Sequence, residues 1–176
     1  MRAALDACVL FPPVMRRMLL GAAAAGGFAP VWSARILEEW ARATRRLPEG
    51  AEAAARVDIA AMRARWPEAE VAVPEELVAS LSLPDPDDRH VLGAAIAGGA
   101  GTLVTLNRAD FPPRALARHG VLLREPDGLL LELLGEGIDL APVAEAVRGA
   151  AGVRAMLKRA GLPRLGKALD MRPVRA

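Results

Sequence analysis

Residues 83–113 read LPDPDDRHVLGAAIAGGAGTLVTLNRADFPP, and this stretch decides the fold. Asp85 is a plausible N-cap, Pro86 suits the first helical position, and Asp88 follows the cap by three residues. Apolar residues then recur at helical spacing up to a glycine cluster, which predicts a helix over residues 89–97. Taken alone, the acids at this helix start also fit a purely capping role, because acids are favoured in a first turn.

A short strand is predicted directly after this helix. Residues 102–106, TLVTL, are apolar and β-branched at their ends, which is typical of a central parallel strand. Asn107 and Asp110 follow the strand, as ordinary turn residues or as part of a site. In an open α/β sheet, helix starts and strand ends meet at the carboxyl edge, where ligands bind.

The beginning of the chain predicts another buried strand, and this one carries an acid. Residues 3–11 read AALDACVLF and are followed by two prolines. A carboxylate inside an apolar run is costly unless it is hydrogen-bonded, paired or bound to a cation. Asp6 is therefore the most informative acid in the sequence, and capping of the next turn is the alternative explanation for it.

The rest of the chain alternates short strands with helices. Ser33 is a plausible N-cap for a helix over residues 34–46, which carries Glu38 and Glu39. Further strands are predicted at 28–32 and 121–123, and further helices at 14–25, 51–65, 75–81, 127–134, 141–149, 153–160 and 164–169. Strands that alternate with helices predict an α/β fold with a central, mainly parallel sheet, and the last three helices predict a C-terminal helical extension.

Composition narrows the functional classes. The chain has 176 residues and 53% hydrophobic content, enough for one domain with a real core. Three phenylalanines, three tryptophans and no tyrosine make aromatic base-stacking platforms improbable. The single cysteine, Cys8, excludes an internal disulfide framework and a cysteine-rich zinc site, so a reducing cytoplasm is expected. No apolar run reaches membrane-spanning length, and no membrane association is expected.

The net charge differs in sign between the first 138 residues and the rest of the chain. Residues 1–138 hold 15 arginines and 18 acids, a balance of −3, whereas residues 139–176 hold 8 basic residues and 3 acids, a balance of +5. The sequence therefore predicts a domain over 1–138 and a basic helical extension over 139–176. Such an extension either contacts a phosphate backbone or is a solvated helical surface.

The separated acids are expected to meet at one edge of the sheet. Asp6, the acids of the Ser33-capped helix, Asp88 and the Asn107–Asp110 segment all fall at strand ends or helix starts. Clustered carboxylates repel each other, and oxygen ligands of this kind suit Mg²⁺ or Mn²⁺. The chemistry indicated is hydrolysis of a phosphodiester bond by metal-activated water.

Four segments together resemble a known family. In order, they are LDACVLF, WSARILEEW, LPDPDDRHVLGAAI and TLVTLNRADFPP. They resemble the PIN-domain ribonucleases, in particular the VapC-type toxins of bacterial toxin–antitoxin pairs, over about residues 3–135. The resemblance implies a three-layer α/β/α fold for a PIN-like nuclease domain at 1–138, a Mg²⁺- or Mn²⁺-dependent endoribonuclease, a cognate antitoxin and a homodimer.

The resemblance also implies site residues. Matched motif by motif, Asp6, Glu39, Asp88 and Asp110 are the metal ligands and catalytic acids, Asn107 lies in the final acidic cluster, and Ser33 is a supporting polar residue. Glu38 competes with Glu39, which is favoured because it lies six residues after Ser33, as in the family. Two positions depart from the family pattern, because Cys8 replaces a common Asn or Ser and Asn107 often corresponds to an acid.

These departures leave a second functional class open. Without a hydrogen-bond partner at Cys8 and without one acidic charge at Asn107, the chain is alternatively a catalytically weak or inactive PIN-like module that binds RNA or protein. A phosphatase with an aspartate nucleophile is disfavoured, because it would want another acid where Cys8 stands.

Overall fold

The computed structural model describes residues 1–171. Its four strands are β1 Arg2–Leu5, β2 Ala29–Val31, β3 Thr102–Val104 and β4 Leu122–Arg124. Its helices are α1 Ala7–Leu10, α2 Pro13–Ala24, α3 Ala34–Ala43, α4 Ala51–Arg65, α5 Glu75–Ser80, α6 Arg89–Ala97, α7 Pro113–Ala117, α8 Pro126–Gly135, α9 Ala141–Ala146, α10 Val153–Arg159 and α11 Pro163–Asp170. Short 3₁₀ turns lie at Thr44–Arg46 and Pro86–Asp88.

The strands form one parallel four-stranded sheet in the order β2-β1-β3-β4. The central strand β1 pairs in parallel with both β2 and β3, and Leu5 is in register with Val104. Helices flank the sheet, so the predicted α/β class is confirmed, as are the C-terminal helices. Because the register aligns the ends of β1 and β3, the residues that follow them emerge side by side.

The chain divides into two compact units. The first comprises residues 1–11 and 29–123, which include the sheet up to Leu123, and the second comprises residues 12–28 together with the chain from Arg124 onward. The predicted division into 1–138 and 139–176 remains a prediction. Residues 172–176 of the predicted extension lie outside the described residues.

The core of the first unit is built from the central strands and the helix that precedes β3. Leu5, Val31 and Leu103 have no exposed surface. Helix α6 is followed by its C-cap Gly98, where a Cβ atom would clash with a methyl carbon of Val31. Only a glycine permits this close approach, which sets the position of α6 and of the acids at its beginning.

The second unit is helical. Leu157, Leu162 and Leu165 are fully buried in it. The buried carboxylate of Asp127, at the start of α8, accepts hydrogen bonds from the backbone N–H groups of Arg164 and Leu165, at 3.1 and 2.9 Å. It thereby satisfies two free amide groups in the first turn of α11, which has no side-chain cap of its own. Within residues 1–171, no helix has the length and apolar character needed to cross a bilayer.

Three expectations about the elements need correction. The predicted strand over residues 3–11 ends at Leu5, and the chain turns into helix α1 after Asp6. A short apolar run fits a buried strand and a buried helical turn equally well, so the sequence pattern could not show where this strand ends. The predicted strand over 102–106 ends at Val104, and helix α7 was not predicted at all.

Candidate functional site

Asp6 lies where β1 ends, and its carboxylate is buried. Its backbone N–H bonds to the carbonyl of Val104, which continues the sheet by one residue and places Asp6 beside Thr105. The Thr105 hydroxyl, which is fully buried, donates to Asp6 Oδ2 at 2.6 Å. The same hydroxyl accepts the backbone N–H of Asn107 at 2.9 Å. Thr105 therefore connects the first acid of the chain to the segment that carries the last one.

Cys8 also contacts Asp6. Its thiol donates to Asp6 Oδ2 at 3.1 Å and lies 3.3 Å from the hydroxyl oxygen of Thr105. Burial, and then the nearby Asp6 charge, raise the pKa of Cys8 to about 12, so the thiol keeps its proton at neutral pH. Cys8 thus still offers Asp6 a hydrogen bond, although a thiol is a weak donor, and Thr105 supplies a stronger one.

Three carboxylates form a cluster at the start of the segment leading into α6 and after β3. Asp85, Asp88 and Asp110 each place a ligand oxygen within 4.8 Å of the others. Asn107 joins two of them, because its Nδ2 donates to Asp88 Oδ2 at 3.1 Å and to Asp110 Oδ2 at 2.6 Å. We call these four residues the aspartate cluster.

Asp85 has a second role in the cluster. Its Oδ1 accepts the backbone N–H of Asp87 at 2.8 Å, which confirms the predicted N-cap at the start of the 3₁₀ turn that leads into α6. The capping explanation and the site explanation thus apply to the same residue. The sequence pointed to the first role only.

The aspartate cluster brings three acidic side chains close together. Within residues 1–171, no arginine or lysine forms an ion pair with Asp85, Asp88 or Asp110. Burial raises the pKa of Asp88 to about 6, and the negative charges of Asp6, Asp85 and Asp110 add to this effect. Asp6 is therefore close enough to be electrostatically coupled to the cluster.

Glu39 has different neighbours. It lies on α3, which begins at Ser33, and the Ser33 hydroxyl accepts the backbone N–H of Ile36 at 3.3 Å, confirming the predicted N-cap. His90 Nε2 lies 3.0 Å and Arg35 Nε 3.1 Å from Glu39 Oε1. Burial alone would raise the pKa of Glu39, but the hydrogen bonds and charges of His90 and Arg35 lower it overall.

Glu38 belongs to a separate network of ion pairs with arginines. Its carboxylate pairs with Arg42 at 2.8 Å and with Arg56 at 3.0 Å. Hydrogen bonds from Arg56 and Arg42 lower the pKa of Glu38 to about 2. An acid already neutralised by two guanidinium groups is a poor candidate for binding a cation, so Glu39 stays the favoured residue of the two.

The structure thus brings Asp88, Asp110 and Asn107 into direct contact and couples Asp6 to them by charge. It surrounds Glu39 with His90 and Arg35, and Ser33 acts locally as a helix cap. Whether Asp6 and Glu39 share an ion with the aspartate cluster remains a prediction. Sequence reasoning did not single out Thr105 or His90, since Thr105 fell inside the predicted strand over residues 102–106.

The donor set of the aspartate cluster fits a hard divalent cation. Carboxylate and amide oxygens are what Mg²⁺ and Mn²⁺ prefer, and an acid whose pKa is raised by neighbouring acids gains stability when a cation joins them. The fold and the cluster together define a class of protein: a parallel α/β domain with an acidic site beyond its strand ends.

The family follows from comparison with known proteins. A family model described as PIN domain matches residues 2–109, more than half of the chain, and the chain belongs to this family. PIN domains are generally metal-dependent nucleases. Searches of curated proteins and of solved structures returned no match.

Proposed function

We propose that this protein is a Mg²⁺- or Mn²⁺-dependent endoribonuclease that hydrolyses RNA phosphodiester bonds. The observation that carries the proposal is the aspartate cluster, in which three carboxylates gather within 4.8 Å without a basic partner in the described chain. Membership of a family of metal-dependent nucleases supports this reading of the cluster.

The proposed cation ligands are Asp6, Glu39, Asp88 and Asp110, with Asp85 added because of its position in the cluster. A divalent cation held there would activate water for attack on the phosphodiester and neutralise the charge that develops. Asn107 would orient water or the ion. The product expected from attack by water is a 5′-phosphate end.

Neighbouring polar residues hold the proposed ligand acids in position by hydrogen bonds. Thr105 fixes Asp6 by a short, buried hydrogen bond, which restricts the carboxylate to one orientation. Asn107 holds Asp88 and Asp110 together with two amide hydrogens, which offsets part of the repulsion between their charges. Ser33 caps the helix that presents Glu39. A site assembled in advance loses less free energy when it binds its ligand.

The biological setting belongs to the proposal as well. The four motifs resemble VapC-type toxins, so we propose a cytoplasmic toxin with a cognate antitoxin protein and a homodimeric state. The basic helices after residue 138 would assist RNA binding, and within the described chain Arg154 is already paired with Asp170 and Arg148 with Glu145. Lys158, Arg159 and Lys167 are exposed and form no ion pair within the described chain, so they are the more available cations for a phosphate backbone.

The test is cleavage of a labelled single-stranded RNA by the full chain, with added Mn²⁺ or with EDTA. We expect cleavage with Mn²⁺ only, 5′-phosphate ends on the products, and no cleavage by a D6A control. Wild-type activity with Mn²⁺ that does not exceed the D6A background would overturn the enzyme proposal.

One observation favours a second candidate. The Asn107 amide already donates hydrogen bonds to both Asp88 and Asp110. A cation that neutralised these two carboxylates would approach the same oxygens. A PIN-like module that binds RNA without cutting it would need only this hydrogen-bonded arrangement and no cation. RNA binding measured without cleavage, at saturating Mn²⁺, would support this alternative.

A further inference from the structure

Within the described chain, the hydrogen-bond donors to the Glu39 carboxylate all approach one of its two oxygens. His90 Nε2 and Arg35 Nε both approach Oε1, at 3.0 and 3.1 Å. For Oε2, no partner is found within residues 1–171. Two donors on the same oxygen restrict the orientation of a carboxylate and leave its other oxygen available to a ligand.

The two donors differ in how firmly they are held. The side chain of His90 is 5% exposed and that of Arg35 is 54% exposed. An exposed arginine pays side-chain entropy to stay in one place, and solvent screens its charge. The His90 ring is fixed by the packing of α6, where Val91 and Leu92 are also buried. His90 is therefore the donor that defines where Oε1 lies.

The other ring nitrogen of His90, Nδ1, gives no reason for a histidine at this position, which leaves the contact between Nε2 and Glu39 as the reason. Nδ1 is buried and has no hydrogen-bond partner in the described chain. An unpaired buried polar atom costs free energy, and an apolar residue at this position would avoid that cost. The polar contact that a histidine adds at this position is the one with Glu39.

His90 is close to Asp88 in the sequence and contacts Glu39 in the structure. His90 lies two residues after Asp88, at the start of α6, and it contacts an acid on α3. We infer that His90 is a positioning residue that holds the Glu39 carboxylate in the orientation needed for the proposed cation. The inference rests on the proposed function, and it adds an outer contact to the ligand set. Such outer contacts typically contribute about 10- to 100-fold in metal affinity.

The test is calorimetric titration of Mn²⁺ into the full chain and its variants. H90L keeps an apolar filling and removes the donor, whereas H90Q places an amide nitrogen near the position of Nε2. H119Q alters the chain's other histidine, which is exposed, and serves as the matched control. Circular dichroism melting of each variant confirms that it is folded.

We expect H90L to bind Mn²⁺ about 10- to 100-fold more weakly than the wild type, H90Q to recover most of the affinity, and H119Q to match the wild type. If folded H90L binds as tightly as the wild type, or H90Q binds no better than H90L, the inference is overturned. A wild-type chain that binds no Mn²⁺ would overturn the proposed function and this inference with it.

If H90L does not fold, the wild-type protein supplies the answer by nuclear magnetic resonance. Addition of Mg²⁺ should move the ring nitrogen resonances of His90, because a cation on Oε2 weakens the acceptor strength of Oε1. Ring resonances that stay in place at saturating Mg²⁺ contradict the positioning role.

Discussion

Two groups of acids in the first unit have opposite electrostatic surroundings. On the outer side of α3 and α4, Glu38 and Glu52 are each paired with two arginines, and hydrogen bonds from those arginines lower both pKa values to about 2. In the aspartate cluster, burial and neighbouring acids raise the pKa of Asp88 to about 6. The chain pairs the first group with its own arginines, whereas within residues 1–171 no arginine or lysine forms an ion pair with the acids of the second group.

On the proposed function, this difference separates acids that are paired with arginines at the surface from acids that would bind a cation. Adjacent residues also differ, since Glu38 is bound to two arginines, whereas Glu39 is bound to His90 and Arg35 through its Oε1 oxygen. Clustered charges without partners cost stability, and proteins keep them where function requires them.

The largest expected effect on RNA cleavage is that of removing an acid from the aspartate cluster, compared with removing an acid from the arginine-paired group. D88N removes a carboxylate from the aspartate cluster and should lower Mn²⁺-dependent RNA cleavage by more than about 100-fold, the upper end of what an outer contact contributes. E38Q removes a carboxylate from the arginine network and should leave cleavage unchanged. Initial cleavage rates at saturating Mn²⁺ measure both. Equal losses in the two variants would remove the distinction between the groups.

A smaller effect is expected at Thr105, which belongs to neither group but fixes Asp6. T105V keeps the shape of the side chain and removes the hydroxyl. Among the side chains of residues 1–171, the buried Asp6 carboxylate then keeps the Cys8 thiol as its one hydrogen-bond donor. We expect a loss of about 1–3 kcal/mol in the free energy of unfolding, the usual cost of an unsatisfied buried polar group.

Mn²⁺ affinity should fall in the same variant, by about tenfold or more. T105S retains the hydroxyl and should behave like the wild type in both measurements. Chemical denaturation and calorimetry measure the two quantities. A T105V protein as stable as T105S would show that the hydroxyl does not hold Asp6.

The smallest effect is expected at Asp85 in the metal-free protein. In the folded protein the pKa of Asp88 is raised from its usual value of 3.8 to about 6. Ionising Asp88 therefore costs stability, and this cost grows as pH rises between those values. D85N removes one repelling charge and keeps an N-cap residue.

With EDTA at about pH 8, we expect D85N to raise the free energy of unfolding by up to about 1 kcal/mol, the scale of interactions between partly exposed charges. The gain should shrink towards pH 4, where Asp88 is protonated. Thermal melts at both pH values measure it. A lower melting temperature for D85N at pH 8 would contradict the repulsion.

Much of the fold could be predicted because local signals fix the ends of its elements. Helix α6 begins after the Asp85 cap and ends at Gly98, as predicted, and α4 and α3 begin at the predicted residues. Proline, glycine and capping side chains act within a few residues, so their effect is visible in the sequence. The end of β1 was missed because nothing local distinguishes a strand from a helical turn in ACVLF.

The site was less predictable, because its contacts join distant parts of the chain. The resemblance named Asp88, Asp110 and Asn107, which the structure brings together, but their contacts depend on the register of β1 and β3. Thr105 reads as an ordinary strand residue until that register places it beside Asp6, 99 residues away. The role of Asp85 was hidden, since its capping role explains it fully at the local level.

The most direct test of the central claim measures protons released when Mn²⁺ binds to the wild-type chain. Calorimetry in two buffers with different ionisation enthalpies gives this number. If the cation joins the aspartate cluster, binding displaces the proton that Asp88 holds, so about half a proton should be released at about pH 6 and almost none at about pH 8. Absence of binding, or binding at pH 6 without proton release, would contradict the claim that these acids are kept unpaired for a cation.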